Sequence, residues 1–388
     1  MLKRIRKKVN SMDGTFTASQ KELLTLLSSM QPICNKRTTL DVTESILFHV
    51  TSRELTLKGT DLEISLQASM AIESDFAETA GFLIPGKRIF ELVKELDGNI
   101  QFAVSSNQIR LLSSGVDLAL NIKDMQEFPP FPERIENLMN VDASFLLSML
   151  NKVAFMIPQN NANQALNGML LELDNEAIAM VATDGHCLAR VTSPKYTLAE
   201  EKKWLMPKRA VLELKKLLEA YPGDNIFIGT CGNQLVFSGR SFNFFTKLIA
   251  DSFPQYKGAL AKEDFVPAFL NREPFLKTLK RTGCLLAGQF VATQFSFEPG
   301  SVRVSMKNKE VGALEEALPL DTYQGALVES RFYSPYLLNG LQIFPEEKVS
   351  FFIKNNTKPI IFESQSTDMH MTYLVMPVSM NQTEGQAS

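Results

Sequence analysis

One programme of helix, strands, helix and closing strands recurs three times along the 388 residues, with a period of roughly 122 to 130. No other feature constrains the fold as strongly. Units of that length far exceed the roughly 20 to 50 residues of a solenoid repeat, and each is long enough to bury a core of its own. Each copy opens with an amphipathic helix, predicted over 19–30, 143–155 and 273–282. There Leu23, Leu24 and Leu27, then Leu146, Leu147 and Leu150, then Phe275, Leu276 and Leu279 recur at helical spacing. Alternating runs follow: SILFHV, ELTLKG and EISLQA; MLLELD, AIAMVA and CLARVT; TQFSFE and VRVSMK. Their period of two predicts half-buried antiparallel strands. A second helix is predicted over 86–96, 208–220 and 335–343, entered through Ile84-Pro85, Met206-Pro207 and Ser334-Pro335. Proline suits a first turn, where its missing N–H has no partner to lose. NIQFAV with QIRLLSS, NIFIGT with QLVFSG, and KVSFFI with PIIFES close the three copies.

These signals predict an α+β chain of three repeated domains, each with two helices packed on antiparallel sheets, over 13–137, 138–262 and 263–380. Tails at 1–12 and 381–388 flank them. Apolar runs fall far below the roughly 20 residues that span a bilayer, and MLKRIRKKVN has no apolar core behind its basic start. The expectation is a cytoplasmic chain without membrane partners. Cys34, Cys187, Cys231 and Cys284 are scattered, with no Cys-x-x-Cys pair and three histidines to assist them. Neither zinc nor a disulfide framework is expected, and no cofactor. Forty basic residues against 43 acidic ones give a net charge of −3. Any contact with nucleic acid must therefore use a local patch.

The most distinctive local string is Ala182-Thr183-Asp184-Gly185-His186 after an apolar strand, echoed by Gly59-Thr60-Asp61. Asp-Gly in that place is a tight turn. Reading His186 as a base oriented by Asp184 fails, because neighbours along a turn rarely point at one another and no nucleophile is signposted. Glu315-Glu316 and Glu200-Glu201 are adjacent acids that do not converge, and Pro85-Gly86-Lys87-Arg88 lacks phosphate-loop spacing. No catalytic constellation emerges. The predicted helices lean basic, with Lys21, Lys87, Arg88, Lys94, Lys152, Lys208, Arg209, Lys215, Lys216, Arg272, Lys277, Lys280 and Arg281. An ordinary solvated face accounts for such a stripe as well as a polyanion does.

Taken in order and spacing, LNGMLLEL, MVATDGHCLARV, FTKLIADSFPQY and the terminal YLVMPV resemble the bacterial sliding clamp family, the β subunit of DNA polymerase III. The likeness runs over about 15–380, nearly the whole chain. It implies a non-catalytic processivity factor: a head-to-tail homodimer ring of three-domain chains, with the basic helices lining the bore around double-stranded DNA. It implies partners that dock through short linear motifs, namely the replicative polymerase α subunit, the clamp loader, and translesion and repair proteins. By matching position their cleft would hold Leu166, Thr183, Gly185, His186, Leu188, Pro254, Tyr336, Leu374, Met376, Pro377 and Val378. DNA contacts would fall to Arg37, Lys87, Arg88, Lys208 and Arg209, and the dimer contact to Leu118 and Leu120 against Cys284 and Leu285. The chain departs from the family pattern at Asn163, Gln164 and Ala165, where an arginine and tyrosines are usual. It departs again at Cys187 for an arginine, at Gly258 and Ala259 for bulkier residues, and at Tyr333 for an asparagine. Residues 381–388 extend past the usual end and could shade the cleft. Two rival readings remain: a clamp-like paralogue with altered partner choice, and a metal-dependent nucleic-acid hydrolase using the acidic pairs.

Overall fold

The computed structural model describes residues 13–132, 134–288 and 290–378, so both expected tails lie outside the described residues. Within them the six helices form where the apolar stripes predict: α1 Gln20–Cys34, α2 Gly86–Lys94, α3 Ala143–Val153, α4 Lys208–Ala220, α5 Arg272–Cys284 and α6 Ser334–Leu341. In α1, Leu23, Leu26, Leu27, Met30 and Ile33 are buried, the three-four spacing of a single face. That helix runs four residues past its predicted end, through Pro32, whose one lost hydrogen bond is tolerated in the last turn. Pro85 caps α2 from the preceding strand and does not enter its first turn, whereas in α6 proline does occupy the first turn.

Several strands were missing from the prediction, among them Val116–Asn121, Phe242–Lys247, Gly312–Leu320 and His370–Val375. Three more, Gly14–Ser19, Glu136–Asp142 and Val266–Asn271, each lead directly into the first helix of a copy. They pair antiparallel with Asn99–Val104, Asn225–Cys231 and Lys348–Ile353 in matching registers, so the repeat extends to sheet order. Lying at copy boundaries, they carry short or broken alternation such as ENLMNVD, which does not stand out from a linker.

The described residues divide into two compact units, one taking those before Ser148 with Arg209–Leu248, the other Ser148–Lys208 and those from Ile249. The division falls within the second copy because sheets run from one copy into the next. In the first unit Ile64–Ala71 pairs with Phe242–Lys247 in the middle of a nine-stranded sheet. In the second, Cys187–Ser193 pairs with His370–Val375 in the middle of an eight-stranded one. Pairing edge to edge removes four open strand edges that would otherwise invite aggregation. A five-stranded sheet in the first unit ends at Val116–Asn121, and a four-stranded sheet in the second ends at Gly312–Leu320. Aromatic residues fill the cores, including the stacked pairs Phe16–Phe102 and Phe48–Phe82 in the first unit and Phe351 with Phe362 in the second. Each such ring contributes roughly 1.5 to 3 kcal/mol on burial. No helix among the described residues is long and apolar enough to cross a membrane.

Candidate partner and nucleic-acid interfaces

The string Thr183-Asp184-Gly185-His186 forms a turn between Ile178–Thr183 and Cys187–Ser193. The buried Thr183 hydroxyl accepts the Gly185 N–H at 3.1 Å and donates to the Cys187 carbonyl. Asp184 Oδ1 accepts the N–H groups of His186 and Cys187 at 2.8 and 2.7 Å. Gly185 has φ +94, a conformation that glycine adopts without a Cβ penalty. The same turn recurs in the first unit. Thr60 donates to the Ile64 carbonyl at 3.0 Å and accepts the Leu62 N–H at 3.1 Å, while Asp61 Oδ1 accepts the N–H groups of Glu63 and Ile64. The sequence echo is thus a structural repeat.

Several of the residues expected in the cleft lie around the second turn. Leu188 lies opposite Leu374 in the sheet, and both belong to a buried cluster with Ala165, Val181, Tyr256 and Ile361. Leu166 is 7% exposed and its Cδ1 lies 3.9 Å from where a Cβ on Gly185 would stand. The Met376 N–H donates to the His186 carbonyl at 2.9 Å, bringing the Met-Pro segment against the turn. Met376 is exposed, and with Pro377 and Val378 it also lines a cavity of about 310 Å3 that includes Arg331, Asn356 and Thr357. Pro254 is exposed next to Phe253, which packs on the same cluster.

Tyr336 is fixed by α6. Its carbonyl accepts the Tyr373 hydroxyl at 2.7 Å, and the helix can approach that ring only because residue 340 is glycine; a Cβ there would fall 1.9 Å from the Tyr373 ring. The Tyr336 ring stacks near His186 at 6.0 Å and meets Tyr333 edge-on at 5.0 Å, and Tyr333 stacks with exposed Phe290 at 4.7 Å. Burial first, then the Asp184 carboxylate, pushes the Tyr336 hydroxyl up to about 12, so the group stays neutral. This aromatic row was not anticipated beyond Tyr336 and His186. Only the contact between distant segments reveals Phe290.

The departures from the family pattern have local explanations. Asn163 caps the short turn Gln164–Leu166 by accepting the Ala165 N–H at 3.1 Å, and Ala165 joins the buried cluster. Cys187 is 1% exposed, and burial raises its thiol pKa far above the usual range, so it acts as a small apolar residue. Gly258 faces open space and Ala259 is exposed.

Of the expected DNA contacts, Arg37, Lys87 and Arg88 are exposed, with Lys87 3.9 Å from Glu91. Lys208 is half-buried and its Nζ donates to the Ile157 carbonyl at 2.8 Å. Arg209 is paired with the buried Asp61 carboxylate and donates to the Pro32 carbonyl at 3.0 Å, so its charge is already neutralised within the first unit. Of the expected dimer contacts, Leu118 and Leu120 are half-buried on the end strand Val116–Asn121. Cys284 is exposed at the end of α5, and Leu285 caps that helix. No cluster of three or more histidine, cysteine or acidic residues that could hold a metal occurs among the described residues. Glu315 and Glu316 lie on opposite faces of one strand, Glu316 paired with Arg281 and Glu315 near Arg303.

Three family models match in sequence along the chain: the DNA polymerase III beta subunit N-terminal domain over 14–132, its central domain over 140–255 and its C-terminal domain over 259–379. The beta sliding clamp of Pseudomonas putida is 26% identical over 369 residues, covering 94% of this chain and all of its own. That of Chlamydia pneumoniae is 26% identical over 378 residues, with 94% and 99% covered. The crystal structure of the Pseudomonas aeruginosa DNA polymerase III beta subunit superposes with a TM-score of 0.87 at 25% identity, over 94% of this chain and 100% of that one. With three ordered domain models spanning almost its full length, the chain belongs to the DNA polymerase III beta-subunit family, the non-catalytic sliding clamps of DNA replication.

Proposed function

We propose that two copies of this chain, each with clamp domains at 13–137, 138–262 and 263–380, close head to tail into a ring around duplex DNA in the cytoplasm. The observation that carries the reading is the pair of open strand edges, Val116–Asn121 and Gly312–Leu320, on different sheets of the chain. A heterologous contact between two such edges closes a ring with two equivalent interfaces. Leu118 and Leu120 against Cys284 and Leu285 supply its apolar part. A ring leaves DNA only by opening or reaching an end, so a mildly acidic chain needs no more than a basic lining. Arg37, Lys87, Arg88 and Lys208 carry that lining, with Arg209 contributing less because Asp61 holds it. Contacts to phosphate there are independent of sequence.

The cleft of Leu166, Thr183, Gly185, His186, Leu188, Pro254, Tyr336, Leu374, Met376, Pro377 and Val378 then receives the linear motifs of the replicative polymerase α subunit, the clamp loader, and translesion and repair proteins. Leu188 and Leu374 form its floor and the exposed Met376 its adaptable wall. The test is twofold. Solution mass should give a dimer, and changing Leu118 and Leu285 to aspartate should give folded monomers. Loaded protein should stay on closed circular DNA and fall off once the circle is cut; equal retention on both refutes the ring. Met376→Ala should weaken a labelled polymerase peptide roughly tenfold, since its removal strips one apolar contact. The Asn163 to Ala165 turn, Cys187 and Tyr333 favour a second reading, a clamp with altered partner choice. Recovery of the replicative polymerase on the immobilised protein decides between them.

A further inference from the structure

The two turns of common design differ in what the second carboxylate oxygen meets. In the first unit Asp61 Oδ2 pairs with the guanidinium of Arg209, the second residue of α4. In the second unit Asp184 Oδ1 is used by the turn, while Oδ2 has no cation against it among the described residues. The second residue of α6 is Pro335, which has no charge to offer. Asp61 is 3% exposed, whereas Asp184 is only half-buried. Beside Asp184 lie the near-parallel rings of exposed His186 and of Tyr336, with Tyr333 edge-on beyond.

We propose that Asp184 and the ring faces of His186 and Tyr336 form a subsite for a cationic side chain of the docked partner, arginine foremost. The partner's guanidinium would take the place that Arg209 takes against Asp61. A guanidinium suits the site because its plane can lie on a ring while its edge gives two N–H groups to a carboxylate. Lysine, a point charge, fits less well. This inference rests on the cleft reading above and adds a partner feature to it: a positive residue close to the apolar anchors.

The experiment uses the full-length chain and fluorescent peptides with two apolar anchors. In each peptide one arginine is moved through the positions between and beside the anchors, with norleucine as its uncharged counterpart. One position should bind roughly three- to tenfold tighter as arginine than as norleucine, a modest gain because the carboxylate is partly exposed. The preference should shrink with added salt. Asp184→Asn keeps the oxygen that accepts the His186 and Cys187 N–H groups, so the turn survives; the preference should vanish while the norleucine peptide binds as before. An arginine preference that persists in Asp184→Asn, or none at any position while the peptides bind, overturns the subsite and leaves the cleft standing. Peptides that fail to bind at all overturn both.

Discussion

At 60–64 and at 183–187 a threonine hydroxyl and an aspartate oxygen tie the same backbone groups, and the surroundings diverge from there. The first turn is sealed: Asp61 is buried, Arg209 and Lys36 lie against it, and the third residue, Leu62, takes φ +72. The second is open: Asp184 is half-buried, Gly185 takes φ +94 and the neighbouring His186 ring is exposed beside the half-buried Tyr336. The comparison teaches that one repeated loop is sealed where α4 supplies a charge, and left open where α6 supplies a proline and a tyrosine. The glycine belongs to the open turn, where the backbone at that position takes φ +94 and a Cβ would meet only the Leu166 methyl at 3.9 Å.

The largest effect should come from breaking the sealed turn. Arg209→Met leaves the Asp61 carboxylate buried, with Lys36 3.8 Å away as its remaining ion-pair partner. Orphaning a buried charge costs about 3 to 5 kcal/mol, and Lys36 should reduce that to about 2 to 4 kcal/mol. Asp184→Asn, at the matching position of the open turn, should cost less than about 1 kcal/mol because that carboxylate is hydrated. Denaturant midpoints for the two variants measure the difference directly. Equal losses would mean that the turns are not in different states.

Much of this was legible in the sequence, and the rest was hidden for physical reasons. The echo of Thr60-Asp61 by Thr183-Asp184 is visible because a turn is made by neighbours in the chain. The helices were visible because Leu23, Leu27 and their counterparts recur at one spacing. Arg209 comes to the DNA-contact set by its position match to the family, and no local signal shows its pairing with Asp61, because a basic helix face gives the same pattern whether its charges face solvent or a buried acid, and the partner lies 148 residues away. The row from His186 to Phe290 joins three separated segments and leaves no local signature. Leu188 and Leu374 match the family's cleft by position but are buried, so the exposed Met376 is the cleaner probe of the proposed binding.

A smaller loss should follow from removing the hydroxyl common to both turns. Thr60→Val and Thr183→Val each delete one donated and one accepted hydrogen bond in a buried place, which costs about 1 to 2 kcal/mol. Thr60 also meets the Ser65 hydroxyl at 2.8 Å, so its loss should be the larger. Peptide affinity separates the two: Thr183→Val should lower it, because that hydroxyl holds the Gly185 N–H and the Cys187 carbonyl on either side of His186, whereas Thr60→Val should leave it unchanged. A fall of affinity in both variants would show that the first turn also serves the cleft.

The smallest effect tests the third position of each turn. Leu62 at φ +72 bears a left-handed conformation that costs an ordinary residue about 1 to 2 kcal/mol. Leu62→Gly removes that strain, loses part of the half-buried side chain's contacts and loosens the unfolded chain, which together offset most of the gain. The net change should be a stabilisation of about 0.5 kcal/mol or none. Gly185→Ala runs the other way: no atom lies closer than the Leu166 methyl at 3.9 Å, so space is available and the cost is that of the backbone, about 1 kcal/mol. Thermal midpoints should therefore move in opposite directions or differ by a few degrees, with Gly185→Ala the lower. If Leu62→Gly instead destabilises by more than Gly185→Ala, the leucine is held by packing that outweighs its strain, and the sealed turn is sealed by its apolar contacts as much as by Arg209.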